Sequence, residues 1–246
     1  MKKQGPQIRY PRRCFIRGLL RGLSHALFGL LTDLEVLGQE NIPATGPLLV
    51  TLNHFSFVDP ALIVRATPWP LEVIGGFQTP NAPFWGKWIL KLWGYFPVYR
   101  GTGSRAALRS VEAVLKQGGV VGVAPEGGSW ATVLRPPRPG TAFLAVRTGA
   151  RILPVGIDGA TDIFSSLRKG RRAHVTVRIG EMFGPFRASG RGRNRRQRLD
   201  QIGHEIMQHI AELIPPQRRG YYSDDPAIRA AAKGTEIYPW HEEPEI

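Results

Sequence analysis

Strand-like apolar runs alternate with segments of helical periodicity through most of the chain. The expected strands are residues 47–52, 71–76, 95–99, 119–124, 151–157 and 173–180. The expected helices between them are residues 59–66, 82–92, 104–117 and 140–149. This alternation predicts an α/β fold in which helices flank a largely parallel central sheet. Ligands of such sheets bind beyond the carboxyl ends of the strands, so we expect functional side chains directly after strands.

The composition indicates one large folded domain with appendages. Hydrophobic residues make up 42% of the 246 residues, which is enough for a core. The one cysteine, Cys14, excludes an internal disulfide and a cysteine-based metal cluster. The histidines show no H-E-x-x-H spacing. We therefore expect no protein-bound metal and no permanently bound cofactor.

The charge balance points to an anionic partner. The formal net charge is +14, which favours nucleic acid, an anionic membrane or a phosphorylated substrate. Residues 187–198 contain six arginines and no acidic residue. We interpret them as a solvated loop that leads into a helix starting near Leu199. One alternative is that these arginines contact phosphate or lipid headgroups, and another is that they contact nucleic acid.

The N-terminal segment has the pattern of a basic amphipathic helix. No acidic residue precedes Asp33, while leucines and other apolar residues recur at helical spacing from Phe15. Such a helix suits a membrane interface; the alternative is a helix docked on the core with its arginines in solvent. Arg17 and Arg21 interrupt the apolar region. No uncharged run therefore approaches the roughly 20 residues that span a bilayer, and no cleavable signal is expected.

We divide the chain into three parts. Residues 1–34 form the N-terminal basic amphipathic helical segment at a membrane interface, and residues 35–215 form the α/β domain. Residues 216–246 form an acidic, loosely structured C-terminal tail.

An aromatic-rich segment precedes the third expected strand. The spacing of Trp85, Trp88, Ile89 and Leu92 predicts the core face of a helix. An acyl-chain tunnel or a membrane-interface anchor is the alternative use of these aromatic side chains.

A cluster of polar side chains follows the strand at 47–52. His54 lies in the turn, and Asp59-Pro60 has the pattern of a helix start with Asp59 as its N-cap. A neutral imidazole can accept a proton from a hydroxyl, and a carboxylate on its other nitrogen fixes the tautomer. Ser56 is a candidate nucleophile, but no G-x-S-x-G elbow surrounds it. The alternative is that Asp59 only caps its helix and His54 is a packed loop residue.

Two further charged residues follow expected strands. Arg100 comes after the strand at 95–99, where a guanidinium could clamp a phosphate. Glu126 follows the strand at 119–124 in a tight Pro-Glu-Gly turn. If these strands are parallel, both residues share one edge of the sheet with His54. Pro154 stands inside another expected strand and indicates a sheet edge or a bulge.

Four short blocks, taken in order, resemble the glycerolipid acyltransferase family, which includes the 1-acyl-glycerol-3-phosphate acyltransferases and their relatives. The blocks are Asn53-His54-Phe55-Ser56-Phe57-Val58-Asp59, Phe96-Pro97-Val98-Tyr99-Arg100, Pro125-Glu126-Gly127 and Leu153-Pro154-Val155. The first matches the family pattern N-H-x-S-x-x-D completely. The resemblance spans about residues 35–180.

The sequence also departs from the family pattern. The third block of the family usually continues with Thr, Arg and Ser, where Gly128-Ser129-Trp130 stands here. That missing arginine normally helps to hold the acceptor phosphate, and Arg135 or Arg138 could replace it. Tyr99 occupies a position where an acidic residue is common.

The resemblance implies a reaction. His54 takes a proton from the acceptor hydroxyl while Asp59 orients it. The oxygen then attacks the thioester of acyl-CoA or an acyl-carrier protein. Arg100 and Glu126 position the acceptor, the first by pairing with its anionic group and the second by binding a hydroxyl. The other expected substrate-binding residues are Asn53, Ser56 and Gly127.

The expected acceptor is a lysophospholipid, first of all 1-acyl-glycerol-3-phosphate, in membrane lipid synthesis. The expected location is peripheral, on the cytoplasmic face of an anionic membrane, with no nucleic-acid partner. An enzyme of this fold acting on a different lipid or sugar hydroxyl is one alternative. A non-catalytic basic protein that binds nucleic acid or lipid is the other.

Overall fold

The computed structural model describes residues 8–76, 84–98, 105–235 and 237. Its strands are β1 Thr32–Leu37, β2 Leu48–Leu52, β3 Glu72–Gly76, β4 Phe96–Val98, β5 Val120–Val123, β6 Arg151–Asp158 and β7 Ala173–Ile179. Its α-helices are α1 Cys14–Leu31, α2 Asp59–Ala66, α3 Phe84–Trp93, α4 Arg105–Leu115, α5 Pro139–Thr148, α6 Ile163–Arg168, α7 Gly192–Glu212 and α8 Pro226–Ala232. Within the described residues, each expected strand and helix of the α/β domain is present with shifts of at most a few residues, except for α7.

The strands form one mixed, mostly parallel sheet in the order β1-β7-β6-β2-β5-β3-β4. The β6–β7 pair is antiparallel, and the other neighbours are parallel. The central strand β2 lies between β6 and β5 and is buried along its whole length. A continuous apolar run is what a strand with both faces covered requires. The predicted α/β class with a largely parallel sheet and flanking helices is confirmed.

Successive side chains of β2 enter different cores because strand side chains alternate between the two faces. Leu49 packs with residues of α4, α5 and α7 on one face. Leu48 and Val50 pack with residues of α2 and β7 on the other. Two packed faces hold β2 in place, and therefore also fix the turn that follows it.

The N-terminal helix α1 docks on the domain through its basic side. Arg17 is 3% exposed, donates to Glu72 at 2.8 and 2.7 Å, and donates to the Trp93 carbonyl at 3.0 Å. Arg21 donates to backbone carbonyls in the loop after α2. The large apolar side chains that α1 leaves exposed are Phe15, Ile16, Leu19, Leu23, Leu27 and Leu30. The docked alternative placed these arginines in solvent, and that part of it was wrong.

Among the described residues, α1 is the one helix that is long and apolar enough to cross a membrane, by length and composition alone.

The aromatic segment also differs from the expectation. Trp88, Ile89 and Leu92 of α3 are exposed rather than in the core, although Trp93 is buried.

Of the arginine-rich residues 187–198, those from Gly192 onward are helical rather than a loop, while residues 187–191 are not in a helix. Helix α7 begins at Gly192, seven residues before the expected start near Leu199. The first turns of α7 carry no apolar residue that would mark them as a helix in the sequence. Arginine nevertheless has a good helix propensity, so the helix extends beyond its buried face.

Pro154 lies in an interior strand, because β6 is flanked by β7 and β2. The expected sheet edge was therefore wrong, whereas the alternative of a bulge fits, because Ile152 pairs with Phe183, one residue out of the register in which Val155 pairs with Ile179. Pairing with β7 begins one residue later, between Val155 and Ile179. The Pro154 carbonyl accepts the Gly180 N–H at 2.9 Å, just beyond the end of β7.

The described part of the tail contains regular structure. Asp225 caps α8 by accepting the Ala227 N–H at 2.8 Å. Gly220 adopts φ +48°, and a Cβ there would stand 2.3 Å from the Leu134 carbonyl oxygen. The tail thus packs closely on the segment that carries Arg135. The three-part division of the chain stays a prediction.

Candidate active site

The turn after β2 and the turn after β5 meet at one edge of the sheet. β2 and β5 are parallel neighbours, with Leu48 opposite Val120, so their carboxyl ends lie together. The His54 N–H donates to Glu126 Oε1 at 3.0 Å. The sequence prediction that these two residues share an edge is therefore met. Arg100, predicted at the same edge, lies outside the described residues.

His54 and Asp59 form a pair in this turn. His54 Nδ1 lies 2.9 Å from Asp59 Oδ2; the Asp59 side chain is 1% exposed, and that of His54 is 20% exposed. The same carboxylate oxygen accepts the Ser56 N–H at 2.8 Å. With the proton of a neutral ring assigned to Nδ1, facing the carboxylate, Nε2 is the proton-accepting nitrogen. This arrangement suits a general base.

Asp59 does not have the N-cap role expected from the sequence. It is the first residue of α2, and its carboxylate accepts from the turn before the helix rather than from the helix N–H groups. Pro60 does stand at the helix start, as expected. The two bonds to one oxygen leave Asp59 facing His54 instead of capping.

Asn53, the residue before His54, is tied to the neighbouring strand β6. Its side chain is fully buried, Nδ2 donates to the Ile157 carbonyl at 2.8 Å, and Oδ1 accepts the Ile157 N–H at 2.7 Å. Both polar ends of the amide are thus used on β6. These bonds fix the backbone next to His54, and the predicted substrate contact of Asn53 stays a prediction.

Glu126 also faces inward. Besides the His54 N–H, it accepts the Arg135 N–H and Nε–H, both at 3.2 Å, on Oε2. Burial raises the pKa of Glu126, and the charge and hydrogen bonds of Arg135 and the His54 N–H oppose that rise without cancelling it. Both carboxylate oxygens thus accept N–H groups of the protein, and the predicted role of Glu126 in binding an acceptor hydroxyl stays a prediction.

Of the two arginines proposed to replace the missing one, Arg135 turns inward. It is 1% exposed, its Nη2 donates to the Gly128 carbonyl, and its Cζ lies 3.7 Å from the centre of the Trp130 ring. A buried guanidinium is not placed to hold a substrate phosphate. A charged residue between Leu134 and Pro136 carried no sequence signal for this inward role beyond its apolar surroundings.

Arg138 lies at the surface side of the same turn. It precedes α5, is partly exposed, and donates its N–H to the Pro125 carbonyl at 2.8 Å. Its Cγ would stand 3.3 Å from a Cβ at Gly127, where φ is +84°. Glycine therefore suits position 127 for both conformation and space. Ser56 is partly exposed, and the substrate contacts predicted for Ser56 and Gly127 stay predictions.

No group of three or more His, Cys, Asp or Glu side chains suited to a metal occurs within the part of the chain that the structure describes.

Comparisons with known proteins agree with one another. A family model described as Acyltransferase matches residues 33–158. The 1-acyl-sn-glycerol-3-phosphate acyltransferase of Bacillus subtilis (strain 168) is 24% identical over 191 residues, which cover 76% of this chain and 91% of that protein. The crystal structure of the 1-acyl-sn-glycerophosphate (LPA) acyltransferase PlsC from Thermotoga maritima is similar with a TM-score of 0.54. It is 25% identical, and the match covers 82% of each chain.

Proposed function

The chain belongs to the acyltransferase family, whose model spans more than half of it, and we propose that it transfers a fatty acyl group from an acyl thioester to a lysophospholipid hydroxyl. The observation that carries this proposal is the His54–Asp59 pair at the carboxyl end of the central strand. The names of the two similar proteins favour 1-acyl-glycerol-3-phosphate as the acceptor. Acylation of that acceptor yields a phospholipid, and we propose membrane lipid synthesis as the role.

The proposed reaction uses His54 as a general base. Nε2 accepts the proton of the acceptor hydroxyl as its oxygen attacks the thioester carbonyl carbon. Asp59 stabilises the imidazolium that results. The tetrahedral intermediate then expels the donor thiolate, which takes the proton back from His54. The products are the acylated acceptor and the free thiol, and no acyl-enzyme is needed. A base in this position contributes about 10²–10⁴-fold to the rate.

Three contacts support His54 in that role. Asn53, the residue before His54, bonds to β6. Glu126 accepts the His54 N–H, and Asp59 holds the imidazole ring. Such preorganisation limits the motion that a catalytic group must lose before the reaction.

The acceptor phosphate needs cationic partners. We propose Arg100 for this role from its position after β4, and Arg138 from its partly exposed position beside Gly127. Guanidinium groups bind phosphate in a bidentate manner. The donor is acyl-CoA or an acyl-carrier protein.

We also propose that the exposed apolar surface of α1 and α3 lies in the membrane. Phe15 of α1 is 86% exposed, and Trp88 of α3 is 60% exposed. The two helices are joined by Arg13, which donates to the Lys91 and Leu92 carbonyls. Exposed apolar patches of this kind mark membrane or partner contacts, and the lipid acceptor resides in a bilayer. The protein would then be peripheral, on the cytoplasmic face.

A thiol-release assay tests the function. Purified protein is given acyl-CoA or an acyl-carrier protein, first with 1-acyl-glycerol-3-phosphate and then with other lysolipids and polyol phosphates. We expect thiol release that depends on an acceptor, with the acylated product seen by mass spectrometry, and none from His54→Ala. If no thiol is released with any donor and acceptor, the proposal is contradicted. That result would favour the alternative of a non-catalytic basic protein that binds nucleic acid or lipid.

A further inference from the structure

A buried ion pair, Arg135 with Glu126, lies directly behind the turn that carries His54, and its arginine has no part in the reaction described above. Arg135 and Glu126 are both about 1% exposed and are joined by two hydrogen bonds to Glu126 Oε2. Glu126 Oε1, the other oxygen of the same carboxylate, accepts the His54 N–H. One carboxylate thus connects a buried guanidinium to the backbone of the proposed base.

Arg135 is itself held on three sides. Its backbone N–H and Nε bind Glu126, its Nη2 donates to the Gly128 carbonyl, and its plane covers the Trp130 ring. These contacts fix the guanidinium in one place. Glu126 Oε2 therefore accepts two N–H groups of one residue, the backbone N–H and the Nε–H of Arg135, and the second of these carries the charge.

A carboxylate in this position needs its cation. An ion moved from water into a protein interior loses several kcal/mol of solvation, which only close partners can offset. Without the Arg135 side chain, Glu126 would be a buried carboxylate with no cation, and only the backbone N–H groups of His54 and residue 135 would remain as its partners. It would then take up a proton or turn towards water, and either change would weaken its bond to His54. Burial already raises the pKa of Glu126 against the effect of Arg135.

We propose that Arg135 is a positioning residue for acyl transfer, which acts through Glu126 to fix the backbone of His54. The proposal rests on the proposed function for its kinetic consequence and on the contacts above for its structural one. Arg135 does not touch the substrate, so its loss reduces kcat rather than substrate affinity.

The kinetic test is a double-mutant cycle. Arg135→Met, Glu126→Leu and the combined variant are compared with wild type in the acceptor-dependent assay. We expect Arg135→Met to lower kcat at least tenfold, with KM for donor and acceptor changed less than threefold. The combined variant should match Glu126→Leu within about twofold, because residues that act as one unit are not additive.

The double-mutant cycle remains informative even if one variant is too unstable to fold. Arg135→Met leaves a buried carboxylate uncompensated and could prevent folding, whereas the combined variant replaces the pair with apolar side chains of similar size. If Arg135→Met does not fold, Glu126→Leu and the combined variant still decide. A further loss of more than threefold in the combined variant would overturn the proposal. So would a folded Arg135→Met whose acceptor KM rises while kcat is kept, since that marks a substrate-binding residue.

A second readout needs no substrate. Hydrogen exchange at the His54 amide should accelerate at least tenfold in Arg135→Met, or in the combined variant, while the amide of Leu62 in α2 keeps its wild-type rate. Equal acceleration at both amides would mean general loosening and would contradict a specific role. The exposed Arg168→Met is the matched control and should behave as wild type in both experiments. The two proposals can fail separately. If the exchange rates respond as expected but the protein shows no transferase activity, the proposed function fails and the structural part of this inference stands.

Discussion

Glu72 and Glu126 are two buried carboxylates at opposite ends of neighbouring parallel strands. Glu72 begins β3 and faces Arg12 and Arg17, whereas Glu126 follows β5 and pairs with one arginine of the described chain, Arg135. Glu72 joins the docked helix α1 to the sheet, and Glu126 joins Arg135 to the turn that carries His54. The same pairing of residue types therefore serves attachment at one end of the sheet and alignment at the other.

The number of cations decides the electrostatic difference. Burial alone would raise the pKa of Glu72, but the hydrogen bonds and charges of Arg17 and Arg12 outweigh it and hold the pKa below its ordinary value. For Glu126, burial raises the pKa and one arginine does not reverse this. The Glu72 cluster thus favours the charged carboxylate. At Glu126 the fold instead disfavours the charged carboxylate, which lies beside the turn that carries His54.

The largest stability effect should come from Glu72. Glu72→Gln leaves the buried Arg17 without its carboxylate, and breaking a buried ion pair from one side costs about 3–5 kcal/mol. We expect that loss in the free energy of unfolding measured with urea. The combined variant Arg17→Met/Glu72→Leu should recover much of it. A cost below about 1 kcal/mol for Glu72→Gln would show that the cluster does not hold α1 in place.

Glu126→Gln should cost less stability and more activity. The amide oxygen can still accept the His54 N–H. Arg135 loses its carboxylate, as Arg17 does in Glu72→Gln, and breaking a buried pair from one side costs about 3–5 kcal/mol in general. Because burial raises the pKa of Glu126, its charge already lowers stability, so we expect a smaller net loss than for Glu72→Gln. We expect kcat to fall about tenfold, which corresponds to about 1.4 kcal/mol in the barrier. Steady-state kinetics and urea unfolding on the same preparation measure both. If the variant keeps the wild-type kcat, Glu126 does not support the turn that carries His54.

The two carboxylates should respond to pH with opposite signs. The pKa of Glu72 is lowered in the fold, so its stabilisation is present above the ordinary value of 4.5 and is lost as the pH falls through the folded pKa. The pKa of Glu126 is raised, so its contribution to stability declines as the pH rises from 4.5 through the folded pKa. The cost of Glu72→Gln should therefore shrink in acid, and that of Glu126→Gln should grow. Unfolding free energies over a pH series check this, and parallel curves would contradict it.

The smallest effect should come from an ion pair with exposed partners. Glu112 binds Lys116 at 2.8 Å and Arg147 at 3.3 Å, and both cations are exposed. Such pairs contribute about 0.2–1 kcal/mol. Glu112→Gln should therefore lower the free energy of unfolding by no more than that and leave kcat unchanged. A larger effect would mean that the contrast between Glu72 and Glu126 does not depend on burial.

The sequence predicted the sheet because its pattern is local, and it placed His54 and Asp59 in one turn for the same reason. The run from Leu48 to Leu52 and the following His54 and Asp59 lie within twelve residues, and the family resemblance added the proposed role of the pair. The bond from Arg17 to Glu72 crosses 55 positions, and only the fold brings the two residues together. Polar helix faces are ordinarily assigned to solvent, which is why the docking side of α1 was missed. The inward turn of Glu126 was missed for a similar reason, since burial of a charged loop residue has no local signature.

The most direct test of the proposed mechanism is the acceptor-dependent kcat of Asp59→Asn, measured beside His54→Ala. Asparagine keeps the size of the side chain but cannot stabilise the imidazolium or enforce the tautomer. We predict that both variants fold, that both keep KM within a few-fold of wild type, and that kcat falls by about 10²–10⁴-fold. A kcat within about threefold of wild type in either folded variant would contradict the assignment of His54 and Asp59 as base and orienting carboxylate.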